Sequence, residues 1–481
     1  MKTPAEYRKS IMALKNNVYM GGKVVPRDDP RFLPEFNVMS LTYDLARNPE
    51  FDGIMNATSH ISGQKVNRFT HIHQNVEDLL KKQKMTRQYV QKTGFCILRC
   101  MGIDAMNALS VATHEMDQAL GTVYYKRFLK YLAYFQENDL SAACAQSDVK
   151  GDRGKRPKEQ DDPDLYVHVV KKTDEGIVVR GAKNHITMAA HAHEIIVVPT
   201  RVMTQGEEDW AVSFAIPADT EGVHLMTHAT SPKPREALKA PIADYGWSDS
   251  FIVFDDVFVP WDRVFMCGER QFAGRLALLF AQFHRHSYCG CKPALSDIMM
   301  GMTALVAEYN CVDKVPHVRQ KLADMVSVAE LVYGAGVAAG VNGKPSSSGT
   351  YVPDVIYCNV GRRHAGEATY HEFETLTDIS GGLPATLPYE QDFLDEKTGR
   401  FLQKYIRRNP AIPAEHQYRC FRMIGDYLCS SFGGGWAVAA VHGGGSPIME
   451  TIAILGNYDL EEKKKLVRHL AGIPETPAKK G

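Results

Sequence analysis

The strongest constraint on this 481-residue chain is a change of texture near residue 144 that reverses near residue 270. Before it, in NVEDLLKKQKMTRQYVQKTGFCILRCMGIDAMNALSVATHEMD (75–117), apolar residues recur every three or four positions with charge between them, the period of helices packed on one side. The charged, Gly/Pro-punctuated loop SDVKGDRGKRPKEQDDPD (147–164) follows. Next come two strand-like runs in LYVHVVKKTDEGIVVRGAKNHIT (165–187), parted by the turn signal Asp174-Glu175-Gly176, and further runs at 194–200, 210–217 and 250–260. From about 270 the helical period returns, in RLALLFAQFHRHSYCGC, ALSDIMMGMTALVAEY and VRQKLADMVSVAELVYGAGVAAG. The pattern predicts an α+β chain with a helical segment 1–143, a β-segment 144–270 and a helical segment 271–481. There is no internal repeat, and PETPAKKG at the end reads as a loose tail.

Charge excludes some functions. Lys plus Arg (56) equals Asp plus Glu (56), so nothing predicts a general attraction to nucleic acid or an anionic membrane. The stretch MKTPAEYRKSIMALKNN lacks the apolar core of a signal peptide, and no run of roughly 18–20 apolar residues is expected to span a bilayer. The expectation is a soluble, cytoplasmic protein. Ten cysteines in such a chain do not make a disulfide framework. Cys144, Cys267, Cys311, Cys358, Cys420 and Cys429 stand singly and read as small core residues; Cys96, Cys100, Cys289 and Cys291 have more telling neighbours.

In FCILRC, Cys96 and Cys100 are four apart, which on a helix puts both sulfurs on one face. Two core-facing cysteines would show the same spacing. In FHRHSYCGCKP, His284, Tyr288 and Cys291 fall at i, i+4 and i+7 on one stripe, with Lys292 beside it and His286 and Cys289 off it. A stripe this polar within an apolar helix needs partners. Two thiols from one segment with His284 and Cys291 from the other make a four-ligand set. Soft thiolate sets favour zinc or an iron–sulfur cluster, and spacing leaves the two even.

Other segments offer donors. Gln146, Ser147, Asp148, Lys150, Gly151, Asp152 and Arg153 suit a pyrophosphate or serve as a solvated loop. Lys183, Asn184, His185 and Thr187 end a strand and suit a ring edge or a capped turn. Ser380-Gly381-Gly382 allows close backbone approach to a ligand or stops a helix. No Gly-x-Gly-x-x-Gly follows a strand.

Seven segments recur together and in order: FCILRC, QSDVKGDRGKRP (146–157), GAKNHIT (181–187), FDDVFVPWDRVF (254–265), FHRHSYCGCKP (283–293), DISGGLPATLP (378–388) and HGGGSP (442–447). With them the chain resembles the 4-hydroxybutyryl-CoA dehydratase family, part of a superfamily that includes the 4-hydroxyphenylacetate 3-hydroxylases and has an acyl-CoA dehydrogenase-like fold. The resemblance implies an N-terminal helical domain, a middle β-barrel-like domain and a C-terminal helical bundle, assembled as a homotetramer (a dimer of dimers). It implies a [4Fe-4S] cluster on Cys96, Cys100, His284 and Cys291, and FAD at the 146–153 loop, Lys183–Thr187, Arg319 and Ser380–Gly382. The implied reaction is radical dehydration of 4-hydroxybutyryl-CoA to crotonyl-CoA through a ketyl radical, with isomerisation of vinylacetyl-CoA. His284, Tyr288, Lys292, Glu450 and Asp249 are its implied catalytic residues, Asp249 standing where the family has a longer glutamate. Competing expectations are a reduced-flavin-dependent aromatic hydroxylase, an acyl-CoA dehydrogenase and a zinc-stapled protein without activity.

Overall fold

One 40-residue helix, Arg270–Tyr309, runs through the centre of the molecule and organises what surrounds it. The computed structural model describes residues 1–474, so the tail beyond Pro474 lies outside the described residues. The first helices are α1 (Pro4–Met12), α2 (Leu33–Arg47), α3 (Val76–Thr93), α4 (Cys100–Leu120) and α5 (Tyr124–Glu137). The long helix is α6, followed by α7 (Pro316–Val341) and α8 (Val355–Ser380). Short helices α9 (Leu383–Thr386), α10 (Glu390–Leu394) and α11 (Gly399–Ile406) lead to α12 (Ala414–Leu428), α13 (Ser431–His442), α14 (Pro447–Asn457) and α15 (Leu460–Leu470).

The strands are β1 (Val18–Met20), β2 (Lys23–Val25), the small hairpin β3 (Asn56–Thr58) and β4 (Lys65–Asn67), then β5 (Ala142–Ala145), β6 (His168–Lys172), β7 (Gly176–Thr187), β8 (Glu194–Val197), β9 (Val212–Pro217), β10 (Val223–Thr230), β11 (Trp247–Pro260), β12 (Val264–Cys267) and the two-residue pair β13 (Lys344–Pro345) and β14 (Tyr351–Val352). They form a six-stranded sheet, β2-β1-β10-β11-β7-β6, and a four-stranded sheet, β12-β9-β8-β5. Phe214 of one sheet meets Phe254 of the other edge to face at 5.9 Å, so their apolar faces share a core.

The expected helix–β–helix order holds, with differences that have physical causes. The first 143 residues also supply β1 and β2, a hairpin across Gly21-Gly22 at positive φ that adds to the six-stranded sheet. β10 went unread because its alternation of buried apolar with exposed polar and Met residues is weak. Two segments also have the length and apolarity to cross a membrane by composition, Pro316–Val341 and Ser431–Asn457, against the expectation of none. The first is α7, which packs against α3, α6 and α8, and the second is interrupted between α13 and α14 by left-handed Gly444 and Gly445.

α6 contains Pro293, which has no N–H to offer the Cys289 carbonyl one turn back. α3 compensates: Gln83 Nε2 donates to that carbonyl at 3.2 Å, Thr86 Oγ1 to Ser287 O at 3.4 Å and Lys82 Nζ to Phe283 O at 3.1 Å. The approach needs Gly290, where a Cβ would fall 2.5 Å from the Gln83 carbonyl oxygen. α4 is pressed onto β5 in the same way, since a Cβ at Gly102 would lie 2.4 Å from the Ala142 carbonyl oxygen. Gly102→Ala is therefore expected to lower unfolding free energy by about 1–3 kcal/mol, the usual range for overpacking, read by calorimetry; unchanged stability would mean that α4 and β5 separate freely.

Candidate active site

Cys96 and Cys100 do not share a helix. Cys96 lies in the loop between α3 and α4, and Cys100 is the first residue of α4. The helical spacing argument is thereby corrected: Leu98, at φ 60°, takes the left-handed turn that folds the loop back on itself. The loop is held from both sides. Tyr427 Oη donates to the Gly94 carbonyl at 2.6 Å, and the Phe95 ring stacks on Trp247 at 4.3 Å and 7°. The two thiols lie close enough for each to act on the other's proton. Cys100, with the Leu98 and Ile97 backbone N–H groups, holds Cys96 below its ordinary value, while Cys96 and burial push Cys100 up. Cys100 also sits at the N-terminus of α4, where free N–H groups favour negative charge.

Cys291 reaches the same place from α6, close enough that charge on Cys96 adds to the effect of burial in raising it. His284 stands two turns earlier. Its Nδ1 lies 3.0 Å from Asp104 Oδ2, and a nitrogen of His284, the Cys100 sulfur and an Asp104 oxygen lie within 4.8 Å of one another. The structure thus brings Cys100, Asp104 and His284 together, with Cys96 and Cys291 near enough to Cys100 for their charges to act on it. Asp104 is the residue that sequence reasoning missed, although it stands at i+4 from Cys100 on α4. It is fully buried, accepts from Ser287 Oγ at 2.9 Å and pairs with Lys82. Burial alone would push its carboxyl up, and Lys82 and His284 hold it down. A carboxylate on one ring nitrogen of His284 fixes the ring and leaves Nε2 for a metal. Three thiols and one imidazole fit either zinc or an iron–sulfur cluster.

The other expected catalytic residues surround this point. Tyr288 is buried and donates to the Ala440 carbonyl, with Arg362 4.3 Å from its ring. Lys292 is not at the surface: it is 1% exposed, pairs with Glu372 of α8 and donates to Ser296 at 3.0 Å. Asp249 lies within β11, with Thr187 Oγ1 donating at 2.6 Å and Trp247 Nε1 at 2.9 Å to its two oxygens, and it is near enough to Cys96 to act on its charge. Glu450 is buried 4.0 Å from Arg285, and burial raises its carboxyl although Arg362 and Arg285 oppose this. The HGGGSP turn closes on the site, Arg285 donating to Gly444 O at 3.1 Å while a Cβ at Gly444 would stand 3.4 Å from His284 Cδ2. Cys289 faces the other way and is wedged between Gly336 and Gly361, whose missing side chains make its room.

The loop carrying Gln146, Ser147, Asp148, Lys150, Gly151, Asp152 and Arg153 lies beside the end of β7. Asn184 N donates to Ser147 O at 2.9 Å, and Gln146 Nε2 donates to Ala277 O of α6 at 3.2 Å. Asp148 and Lys183 are consumed by a buried pair at 2.9 Å, reinforced by Val167 N and Thr200. Lys150, Arg153 and Arg201 remain close together, and burial and these like charges lower Lys150. His185 is exposed at φ 60°, a conformation that side chains rarely adopt. Arg319 and Ser380-Gly381-Gly382 are elsewhere. Lys321 pairs with Asp378 at 2.6 Å and Asn310 donates to Ile379 O at 2.8 Å, which puts them at the far end of α6, about 37 Å of helix from His284.

The chain is similar to known proteins over nearly its whole length. The models described as 4-hydroxyphenylacetate 3-hydroxylase N terminal and C terminal match residues 3–266 and 273–472. The 4-hydroxybutyryl-CoA dehydratase/vinylacetyl-CoA-Delta-isomerase of Clostridium aminobutyricum is 38% identical, covering 98% of this chain and 100% of that protein. An oxygen-tolerant archaeal 4-hydroxybutyryl-CoA dehydratase from N. maritimus superposes with a TM-score of 0.94 at 37% identity, over 99% of this chain and 96% of that one. The oxygenase component of 4-hydroxyphenylacetate 3-monooxygenase complexed with FAD superposes at 0.87 with 25% identity, over 98% of each chain.

If Asp104 orients His284 toward a metal, Asp104→Asn keeps the shape and weakens the hold. Metal bound per chain after anaerobic reconstitution should fall as affinity drops about 10–100-fold. Retention equal to the unaltered protein in a chelator titration would remove Asp104 from the site.

Proposed function

Because the chain belongs to the 4-hydroxyphenylacetate 3-hydroxylase family, in its 4-hydroxybutyryl-CoA dehydratase branch, we propose that it dehydrates 4-hydroxybutyryl-CoA to crotonyl-CoA and isomerises vinylacetyl-CoA to the same product. The observation that supports the reading is the convergence of Cys100 and His284, the latter tied to Asp104, with Cys96 and Cys291 near enough to Cys100 for their charges to act on it. An aromatic hydroxylase working with free reduced flavin has no use for three converging thiols.

In this reading Cys96, Cys100, Cys291 and His284 hold a [4Fe-4S] cluster, and the 146–153 loop and the end of β7 hold FAD. Bound there, the two groups supply the one-electron and Lewis-acid chemistry that a non-acidic C3 hydrogen and a poor hydroxyl leaving group require. The chain's residues handle position and protons. His284 Nε2 faces away from Asp104 and serves as ligand or as proton donor to the departing hydroxyl. Glu450, raised by burial, is the carboxyl best able to hold a proton. Asp249, engaged at both oxygens, sets the strand beside the substrate more than it abstracts hydrogen. Lys292 stiffens α6 against α8 through Glu372, and Tyr288 keeps its lone pairs for an incoming hydroxyl.

The surplus cations Lys150, Arg153 and Arg201 suit a pyrophosphate, of FAD or of coenzyme A. Arg319 and Ser380–Gly382 lie too far along α6 to reach the same flavin, so in a homotetramer they would serve the flavin of a neighbouring copy.

The test is an anaerobic assay of protein with measured iron, sulfide and FAD, given 4-hydroxybutyryl-CoA and vinylacetyl-CoA in parallel. Crotonyl-CoA is expected from both. His284→Ala should cut dehydration by about 10²–10³-fold, the usual scale for a lost acid–base group, and Cys291→Ala should lower bound iron. Fully loaded protein that makes no crotonyl-CoA overturns the reading. Oxygen-dependent hydroxylation of 4-hydroxyphenylacetate with reduced flavin would replace it, and colourless protein holding zinc would establish a structural metal instead.

A further inference from the structure

Behind His284 lies a group of polar side chains that the proposed chemistry does not use. His73 and His286 are fully buried, and neither ring has a hydrogen-bond partner on either nitrogen among the described residues. Beside them His71 Nδ1 and Gln83 Oε1 are likewise without partners. The Gly336 backbone approaches His286 without making a bond of good geometry. These residues come from the 71–73 segment, α3 and α6, separate stretches that converge on one place. Lys82 stands among them, spending two of its three protons on Asp104 and the Phe283 carbonyl.

Burial and the nearby Lys82 charge push His73 well below its ordinary value, so its ring is neutral, with one donor and one acceptor both unanswered. Buried polar groups in folded proteins are satisfied, and where the protein offers no partner ordered water does so. The inner end of the group is Lys82–Asp104–His284, with Asp104 3.0 Å from His284 Nδ1. The outer end is His71, whose Nε2 lies 2.8 Å from Asp78, a side chain 14% exposed. The His71 and His73 rings meet edge to face with their centroids 6.3 Å apart, so the unpartnered nitrogens of both belong to one buried group.

We propose that His73, His286, His71 and Gln83 enclose a chain of ordered water between His284 and the surface at Asp78, and that this chain carries off the water formed in dehydration. The inference rests on the dehydratase reading. There the C4–O bond breaks, the hydroxyl leaves with one proton, and one water is made per turnover. Isomerisation of vinylacetyl-CoA moves hydrogen and makes no water.

That difference supplies the test. His73→Phe keeps an aromatic ring and removes both polar atoms. In holoenzyme matched for iron and FAD, kcat for dehydration should fall about tenfold or more while isomerisation stays within about twofold, and His73→Gln should recover part of the loss. Equal loss of both activities, or loss of neither, overturns the proposal. A high-resolution crystal structure of the unaltered holoenzyme gives a readout independent of activity. Waters on both nitrogens of His73, continuing toward His71, are expected; a ring bonded only to protein atoms overturns the chain even if every variant fails to fold. Unaltered holoenzyme lacking both activities would sink the dehydratase reading and, with it, the transport role, whatever the water density shows.

Discussion

The site depends on one missing backbone proton. Pro293 in the middle of α6 leaves the Cys289 carbonyl without its intrahelical donor, in a part of the molecule buried from bulk solvent. Gln83 answers it from α3, and the same face of α3 sends Lys82 and Thr86 to two further α6 carbonyls. Glycines at 290, 336 and 361 let α3, α7 and α8 come close enough for this to work. The crossing fixes the rotation of α6, and with it the direction in which His284, Tyr288 and Cys291 point. Helix propensity alone would not choose that rotation, because α6 is apolar over much of its circumference.

Charge is arranged around the same crossing. Lys82–Asp104 and Lys292–Glu372 are both buried ion pairs, and removing one member of such a pair typically costs about 3–5 kcal/mol because the other is left uncompensated. Each therefore fixes geometry whatever its net contribution. Asp104 faces His284 and turns its ring; Glu372 holds Lys292 one residue after Cys291. Arg362 is different. It is fully buried, donates to the Gly443 and Val441 carbonyls, and lies over the Tyr288 ring. Its charge opposes the upward push of burial on Glu450 and on Cys291, and it ties the glycine turn to the floor of the site.

How much of this the sequence disclosed follows from distance along the chain. The His284, Tyr288 and Cys291 stripe was legible because a helix converts spacing into direction, and α6 is a helix there. Cys96 and Cys100 were singled out for a helical spacing they do not have: a left-handed turn at Leu98 lies between them, and no spacing rule reports a positive φ at leucine. Asp104 followed Cys100 by one turn and was visible in principle, yet its importance comes from Lys82 and His284, 22 and 180 residues away. The same holds for Lys292, singled out beside the stripe, whose partner Glu372 lies 80 residues away. The β-segment was legible in its longer apolar runs and was missed in the four-residue strands β5 and β12 and in β10, where one face is polar; outside it β1 was missed, whose partner strand lies about 200 residues downstream.

The length of α6 also constrains how the molecule can work. The 146–153 loop reaches α6 at Ala277, two turns before His284, whereas Arg319 and Ser380–Gly382 gather at the other end near Asn310. No rotation of side chains closes a gap of more than 30 Å along a straight helix. Under the proposed function, residues at both ends would serve one flavin only across copies of the chain, each lending its far end to the other's near end. Single molecules would then hold the thiols and His284 complete while offering half a flavin cradle, so the metal centre and the flavin would differ in their dependence on protein concentration.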